Sequence, residues 1–154
     1  MKKLKFTFIL IILIALVGIA YAQNENHNLT LYFFYGDGCS HCAEAKPFLE
    51  ELENRYPELT IKSYETWYNK QNADLFVSMS SACGTKVVGV PTFFIGHNPI
   101  IGFDTPEVKG KEIESEIKRC IKEGCIDLME YIGENLTSCP SKEEEQIVNL
   151  PVFG

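Results

Sequence analysis

The chain has 154 residues, enough for one domain with attachments and too few for two full domains. Apolar residues make up 45% of it and aromatics 12%, which supplies a real core and excludes a disordered chain. With 14 basic against 21 acidic side chains the net charge is −7, which excludes a nucleic-acid binder, since phosphate recognition needs a basic footprint.

In chain order, Lys2, Lys3 and Lys5 precede an almost wholly apolar run from Phe6 to Ala20. Ala20-Tyr21-Ala22 then offers small residues at both positions that a signal peptidase reads, so residues 1–22 are expected to be a signal peptide. The apolar run is somewhat short of the roughly 20 residues of a bilayer span, and an uncleaved anchor is the alternative. Either reading places the domain outside the cytoplasm, periplasmic or at the cell surface. There cysteine pairs persist as disulfides more often than they hold zinc.

Residues 23–28 are polar and read as a linker. Leu29 to Tyr35 is a dense run of β-formers, apolar on both faces beyond Thr30, as a buried strand requires. Gly36-Asp37-Gly38 breaks it. Ala43 to Tyr56 is a predicted helix, with Ala45, Phe48, Leu49, Leu52 and Tyr56 at helical spacing and Pro57 as its stop. Leu59 to Tyr64 alternates as a strand, and Asn72 to Cys83 reads as a second helix with Leu75, Phe76 and Met79 on one side. Gly89-Val90-Pro91 leads into a strand over Thr92 to Ile95, a turn over Gly96 to Pro99, and an antiparallel edge strand over Ile100 to Phe103. Pro106 to Ile121 is the last predicted helix, with Val108, Ile113, Ile117 and Ile121 apolar. The order β-α-β-α-β-β-α calls for an α/β domain: a mixed four-stranded sheet with helices on both faces. Residues 122–154 form a cysteine-containing extension, with Glu143 to Glu145 as a solvated hinge.

The chemistry concentrates in Cys39-Ser40-His41-Cys42. Two cysteines at this spacing close a small disulfide ring at a helix start. There, open backbone N–H groups and the helix dipole favour a thiolate at Cys39. Cys42, one turn in, is placed to attack a mixed disulfide on Cys39. A protonated His41 beside the thiolate would stabilise the dithiol and make the disulfide more oxidising. The competing readings are a purely structural disulfide, a solvated His41 of no consequence, and a zinc or copper(I) site. That metal site would be built from the two thiolates and His41, with His97 or His27 as the remaining candidates.

The strand, the Cys39–Cys42 motif, the amphipathic helix and the downstream Gly89-Val90-Pro91-Thr92 together resemble the thioredoxin superfamily over residues 29–121. The resemblance implies a thioredoxin-like fold and a cis bond before Pro91. It also implies thiol–disulfide exchange, with Cys39 as nucleophile, Cys42 as resolving cysteine and no cofactor or metal. The backbone of Val90 would pair with an extended protein substrate, with Ser40 and Pro91 beside it. The chain departs from thioredoxin itself at Gly38, where that protein has tryptophan, and at Phe33, where it keeps a buried acid. Glu44 or water is therefore expected to accept the proton of Cys42. The short start is glutaredoxin-like. The aromatic strand is similar to that of exported domains joined to membrane electron carriers of the cytochrome c biogenesis type. That similarity implies a membrane redox partner, a lean towards reductase over oxidase or isomerase, and a juxtamembrane lead-in at Asn149 to Gly154.

Cys83, Cys120, Cys125 and Cys139 allow three pairings. A helix stop at Gly124 favours 120–125 as a structural disulfide, with 125–139 next. Cys83 reads as a small buried hydrophobe, and Trp67 and Tyr68 as partly packed aromatics.

Overall fold

A computed structural model describes residues 27–134. The expected leader over 1–22, most of the linker, the hinge, Cys139 and the terminal lead-in lie outside the described residues. Strand β1 (Leu29–Tyr35) is followed by α1 (Ser40–Arg55), β2 (Leu59–Glu65), α2 (Lys70–Ala82), β3 (Thr92–Ile95) and β4 (Asn98–Ile101). A π-helical turn (Pro106–Gly110) then leads into α3 (Lys111–Glu123), and α4 (Leu128–Glu134) closes the order.

The sheet order is β2-β1-β3-β4, with β1 parallel to β2 and antiparallel to β3, and β3 antiparallel to β4. It is the mixed four-stranded sheet that the element order called for. Alternation along β1 sends successive side chains to two cores. Leu29, Leu31 and Phe33 join Phe93 and Ile95 beneath α1 and α3, which contribute Ala45, Leu49, Leu52, Ile113 and Ile117. Tyr32 and Phe34 join Phe94, Phe76 and Met79 on the other face, beneath α2 and α4. Burying both faces of β1 explains why its sequence is apolar throughout rather than alternating.

Several boundaries differ from the sequence expectation, each for a local reason. Helix α1 begins at Ser40, not Ala43, because the Cys39 sulfur caps it; that cap leaves no trace in apolar periodicity. Asn69 caps α2 by accepting the N–H of Asn72 at 3.2 Å, so the helix starts at Lys70. Strand β4 starts at Asn98 because the hairpin closes through Gly96-His97 alone, with Ile95 opposite Asn98. Pro99 is tolerated there because β4 is an edge strand. The π-helical turn shifts the register ahead of α3, leaving Val108 exposed rather than on the apolar side.

The largest difference is α4. Gly124 ends α3 at φ 79°, in the left-handed region that favours glycine, and the chain folds back. Ile126 and Leu128 then bury themselves in the second core. Asp127 accepts the N–H groups of Met129 and Glu130 at 3.0 and 3.4 Å, capping α4. It also accepts the hydroxyl of Tyr32 from the central strand. Burial raises the Tyr32 pKa and the Asp127 bond raises it further, so the phenol stays a donor. The packed region therefore runs past residue 121 to α4.

Candidate active site

The site is built where β1 ends. Gly36-Asp37-Gly38 turns the chain, and the Cys39 N–H donates to the carbonyl of Gly36 at 3.1 Å. Cys39 is the N-cap of α1, and its Sγ accepts the N–H of Cys42 at 3.2 Å. Cys39 and Cys42 are joined as a disulfide. Cys42 is 1% exposed and belongs to the first core, whereas Cys39 is partly open. One sulfur is thus reachable and the other sits behind it. If the bond is opened, the sulfur at the helix start keeps a backbone donor and the positive end of the helix dipole, both favouring the thiolate.

Facing the motif, the Val90–Pro91 peptide bond is cis, and the carbonyl oxygen of Val90 lies 3.8 Å from Cys39 Sγ. Pairing between β1 and β3 brings this segment across from the motif. A Cys-x-x-Cys at the first helix start, an X-cis-Pro at the head of the antiparallel β3, and the order β2-β1-β3-β4 now stand together. This is the thioredoxin-like fold.

His41 and Ser40 lie on the outer side of α1. The His41 side chain is 63% exposed, with Nδ1 3.7 Å from Glu44 Oε2. Its companion is thus a carboxylate, which offsets part of the positive charge the imidazole brings when protonated. Glu44, a candidate proton acceptor for Cys42, is itself 58% exposed on that surface. Phe33 is fully buried, stacked on Phe93 with ring centroids 5.2 Å apart and on Tyr35 at 5.4 Å. Where thioredoxin keeps a buried acid, this thioredoxin-like chain has an aromatic stack. Lys46 Nζ lies over the Tyr35 ring at 4.1 Å, and both line a cavity of about 270 Å³ with Glu50, Glu53 and Ser63. Beside Pro91, a groove of about 300 Å³ is lined by His41, Val90, Phe103, Asp104 and Lys109.

Sequence reasoning missed Glu65. Its carboxylate accepts four backbone N–H groups: Trp67 at 2.8 Å, Tyr68 at 3.0 Å, Asn69 at 3.1 Å and Asp37 at 3.4 Å. Burial pushes its pKa up, but these donors outweigh it and hold the carboxyl below its ordinary value. One side chain thereby ties the loop after β2 to the turn that precedes Cys39. The only signal in the sequence was an acid ahead of an aromatic pair, which is uninformative without the fold. Trp67 is partly packed as expected, at 54% exposure, whereas Tyr68 is 81% exposed. The Trp67 ring lies against Gly36, where a Cβ would run into it, so only glycine allows this approach.

The remaining cysteines are placed as follows. Cys120 and Cys125 form a disulfide across the stop at Gly124, which removes the 125–139 alternative. Arg119 Nη2 donates towards both sulfurs, at 3.1 Å to Cys125 and 3.4 Å to Cys120. Cys83 is disulfide-bonded as well, not the unpartnered hydrophobe its position suggested. Among the described residues, no three His, Cys, Asp or Glu side chains converge as a metal site requires.

Comparison with known proteins finds similarity at low levels. No protein-family model matches the chain. Over 118 residues it is 26% identical to the uncharacterized protein 196R of Invertebrate iridescent virus 6, covering 77% of this chain. The match spans 61% of the length of that curated relative. Mitochondrial thioredoxin 3 from Saccharomyces cerevisiae is 23% identical at a TM-score of 0.43, covering 59% of this chain and 81% of that one. A thiol:disulfide interchange protein described as a putative DsbE, from Chlorobium tepidum, is 16% identical at a TM-score of 0.47, covering 63% and 82%. Thioredoxin O2 from Arabidopsis thaliana is 23% identical at 0.44, covering 61% and 76%. At these levels the chemistry has to be read from this chain's own side chains.

Proposed function

We propose that the chain is a thiol–disulfide oxidoreductase that exchanges the Cys39–Cys42 pair with cysteine pairs of other proteins. The observation that carries it is the asymmetry of the pair: an open sulfur capping a helix and facing a backbone carbonyl, with its partner buried one turn behind. In the reducing direction the Cys39 thiolate attacks one sulfur of a substrate disulfide. A Cys39–substrate bond forms and the other substrate sulfur leaves as thiolate. Cys42 gives up its proton, attacks Cys39 Sγ and releases the first substrate sulfur, closing the 39–42 bond. Two electrons pass to the substrate, and the reverse sequence oxidises it.

The finer reading is a reductase acting outside the cytoplasm, reset by a membrane redox partner. Glu44 beside His41 supports that direction, since a carboxylate next to the imidazole offsets the positive charge it can lend to the thiolate, which stabilises the dithiol less and leaves the disulfide less oxidising. The leader-like pattern over residues 1–22 supports the location. No helix of the described residues is long and apolar enough to cross a membrane. In turnover of a disulfide-linked protein such as insulin, Cys39→Ser should fall to background. Cys42→Ser should instead accumulate a Cys39-linked mixed disulfide visible by mass spectrometry. Undiminished turnover by Cys39→Ser would sink the proposal. The potential of the 39–42 pair decides direction: near about −270 mV is a reductase, near about −120 mV an oxidase.

A further inference from the structure

Asn28-Leu29-Thr30 and Asn135-Leu136-Thr137 are the same tripeptide, and exchange chemistry uses neither. An asparagine two residues ahead of a threonine, with no proline between, is the acceptor pattern for an N-linked oligosaccharide. In the folded protein such an asparagine has to lie on the surface, because the attached sugar chain is bulky and hydrated. The second copy starts directly after α4 ends at Glu134 and lies outside the described residues. The first lies within them.

Asn28 is exposed, immediately ahead of β1, while Leu29 beside it is 3% exposed and sits in the first core. The backbone is held on both sides. The His27 N–H donates to the Ile121 carbonyl and the Leu29 N–H to the Glu58 carbonyl, each at 2.9 Å. Asn28 is therefore kept at the surface by fixed neighbours, with no freedom to turn into the core. Thr30 lies within β1 and is half-buried. Recognition of the whole tripeptide thus belongs to the extended chain on its way through the membrane, before β1 pairs.

Asn28 also stands at the far end of β1 from the motif. From Leu29 to Tyr35 an extended strand covers about 20 Å, and the 36–38 turn carries the chain on to Cys39. A sugar chain rooted there starts well away from the open sulfur.

We infer that Asn28 is an attachment site for an N-linked oligosaccharide, taken from a lipid-linked phosphate donor during export. This rests on the extracytoplasmic location in the proposed function. In the transfer, Asn28 Nδ2 displaces the lipid phosphate from the first sugar carbon. The N–C bond forms, the C–O bond to phosphate breaks, and the phosphate leaves with the electron pair. One amide proton is lost to the transferase, and nothing is oxidised or reduced.

The test produces the full chain with its own leader in cells that carry the lipid-linked transferase, and in parallel behind an unrelated secretory leader. Peptide N-glycosidase in heavy-oxygen water converts a modified asparagine to labelled aspartate, so mass spectrometry reads Asn28 and Asn135 separately. Asn28 should be labelled in most exported molecules. Asn28→Gln should lose one oligosaccharide increment of mass at an unchanged exchange rate per folded molecule. Thr30→Ala should lose the same increment with the acceptor still present, and Thr30→Ser should keep it. Exported chain that is unmodified at Asn28 behind either leader, or modified at Asn135 alone, would overturn the site and leave the exchange reading intact. Chain that its own leader leaves inside the cell and unmodified would overturn the location, and the site with it. Exchange by Cys39 is measured on the same samples, so its failure is seen apart from both.

Discussion

Cys39–Cys42 opens α1 and Cys120–Cys125 closes α3, so the same covalent bond stands at opposite ends of two helices in one core. At the α1 start the partly open sulfur accepts a backbone N–H, and the dipole favours the negative charge that appears when the bond opens. At the α3 end Cys120 is fully buried in the last turn, whose carbonyls disfavour a thiolate. Arg119 reaches its sulfur at 3.4 Å, but the guanidinium is also held by Glu116 at 2.8 Å and Glu123 at 3.7 Å, and much of its charge is balanced there. On the exchange proposed above, the first bond is the one that opens, while the second spans the reversal at Gly124 that sends Ile126 and Leu128 into the second core. Helix polarity and burial, rather than the presence of two cysteines, separate the two roles.

The largest expected effect is on activity. Cys39→Ser should abolish exchange, whereas Cys120→Ala with Cys125→Ala should keep the wild-type rate per folded molecule. Loss of exchange in the double variant would dissolve the distinction. Next comes selective opening. In a graded thiol–disulfide buffer, alkylation and mass spectrometry should find the 39–42 pair reduced while 120–125 stays closed. The two equilibrium constants should differ by at least about tenfold. Coincident reduction would mean that the helix ends do not set the difference. A smaller effect is on stability. Opening the short 120–125 loop should cost about 2 kcal/mol on the chain-entropy account, read as a lower denaturation midpoint at unchanged slope.

The smallest effect is on pH. The Glu65 carboxyl lies below its ordinary value when folded, so the stability it lends is complete above the ordinary value of 4.5 and is lost as pH falls through the folded value. Trp67 emission should therefore change reversibly in acid, and Glu65→Gln should remove that dependence. At the other end of α1, the Tyr56 hydroxyl, Lys118 and Arg55 hold Glu114 at about 2 despite its burial. Its contacts between α1 and α3 should persist until the pH nears that value. An acid response at Trp67 that survives Glu65→Gln would show that some other group frames the motif.

Much of this was legible without coordinates where the cause is local. The unbroken apolar run of β1, the period of α1, the Cys39–Cys42 spacing and the Val90-Pro91 lead-in to β3 each express a constraint within a few residues, and they led to the right sheet. The Cys120–Cys125 bond was also within reach, because Gly124 between the two cysteines marks a stop. What stayed hidden depends on contacts between distant segments. Glu65 reaches its fourth donor, the N–H of Asp37 ahead of the motif, only once β2 lies parallel to β1. Trp67 finds its seat on Gly36 by the same pairing. The helix after Gly124 is tied to the central strand by Asp127, which accepts the hydroxyl of Tyr32 across 95 positions of sequence. Periodicity and spacing are properties of a chain and can be read along it. Which acid frames the motif, which tryptophan rests on its turn and which segment covers the second core are properties of packing, decided only when the sheet brings their partners together.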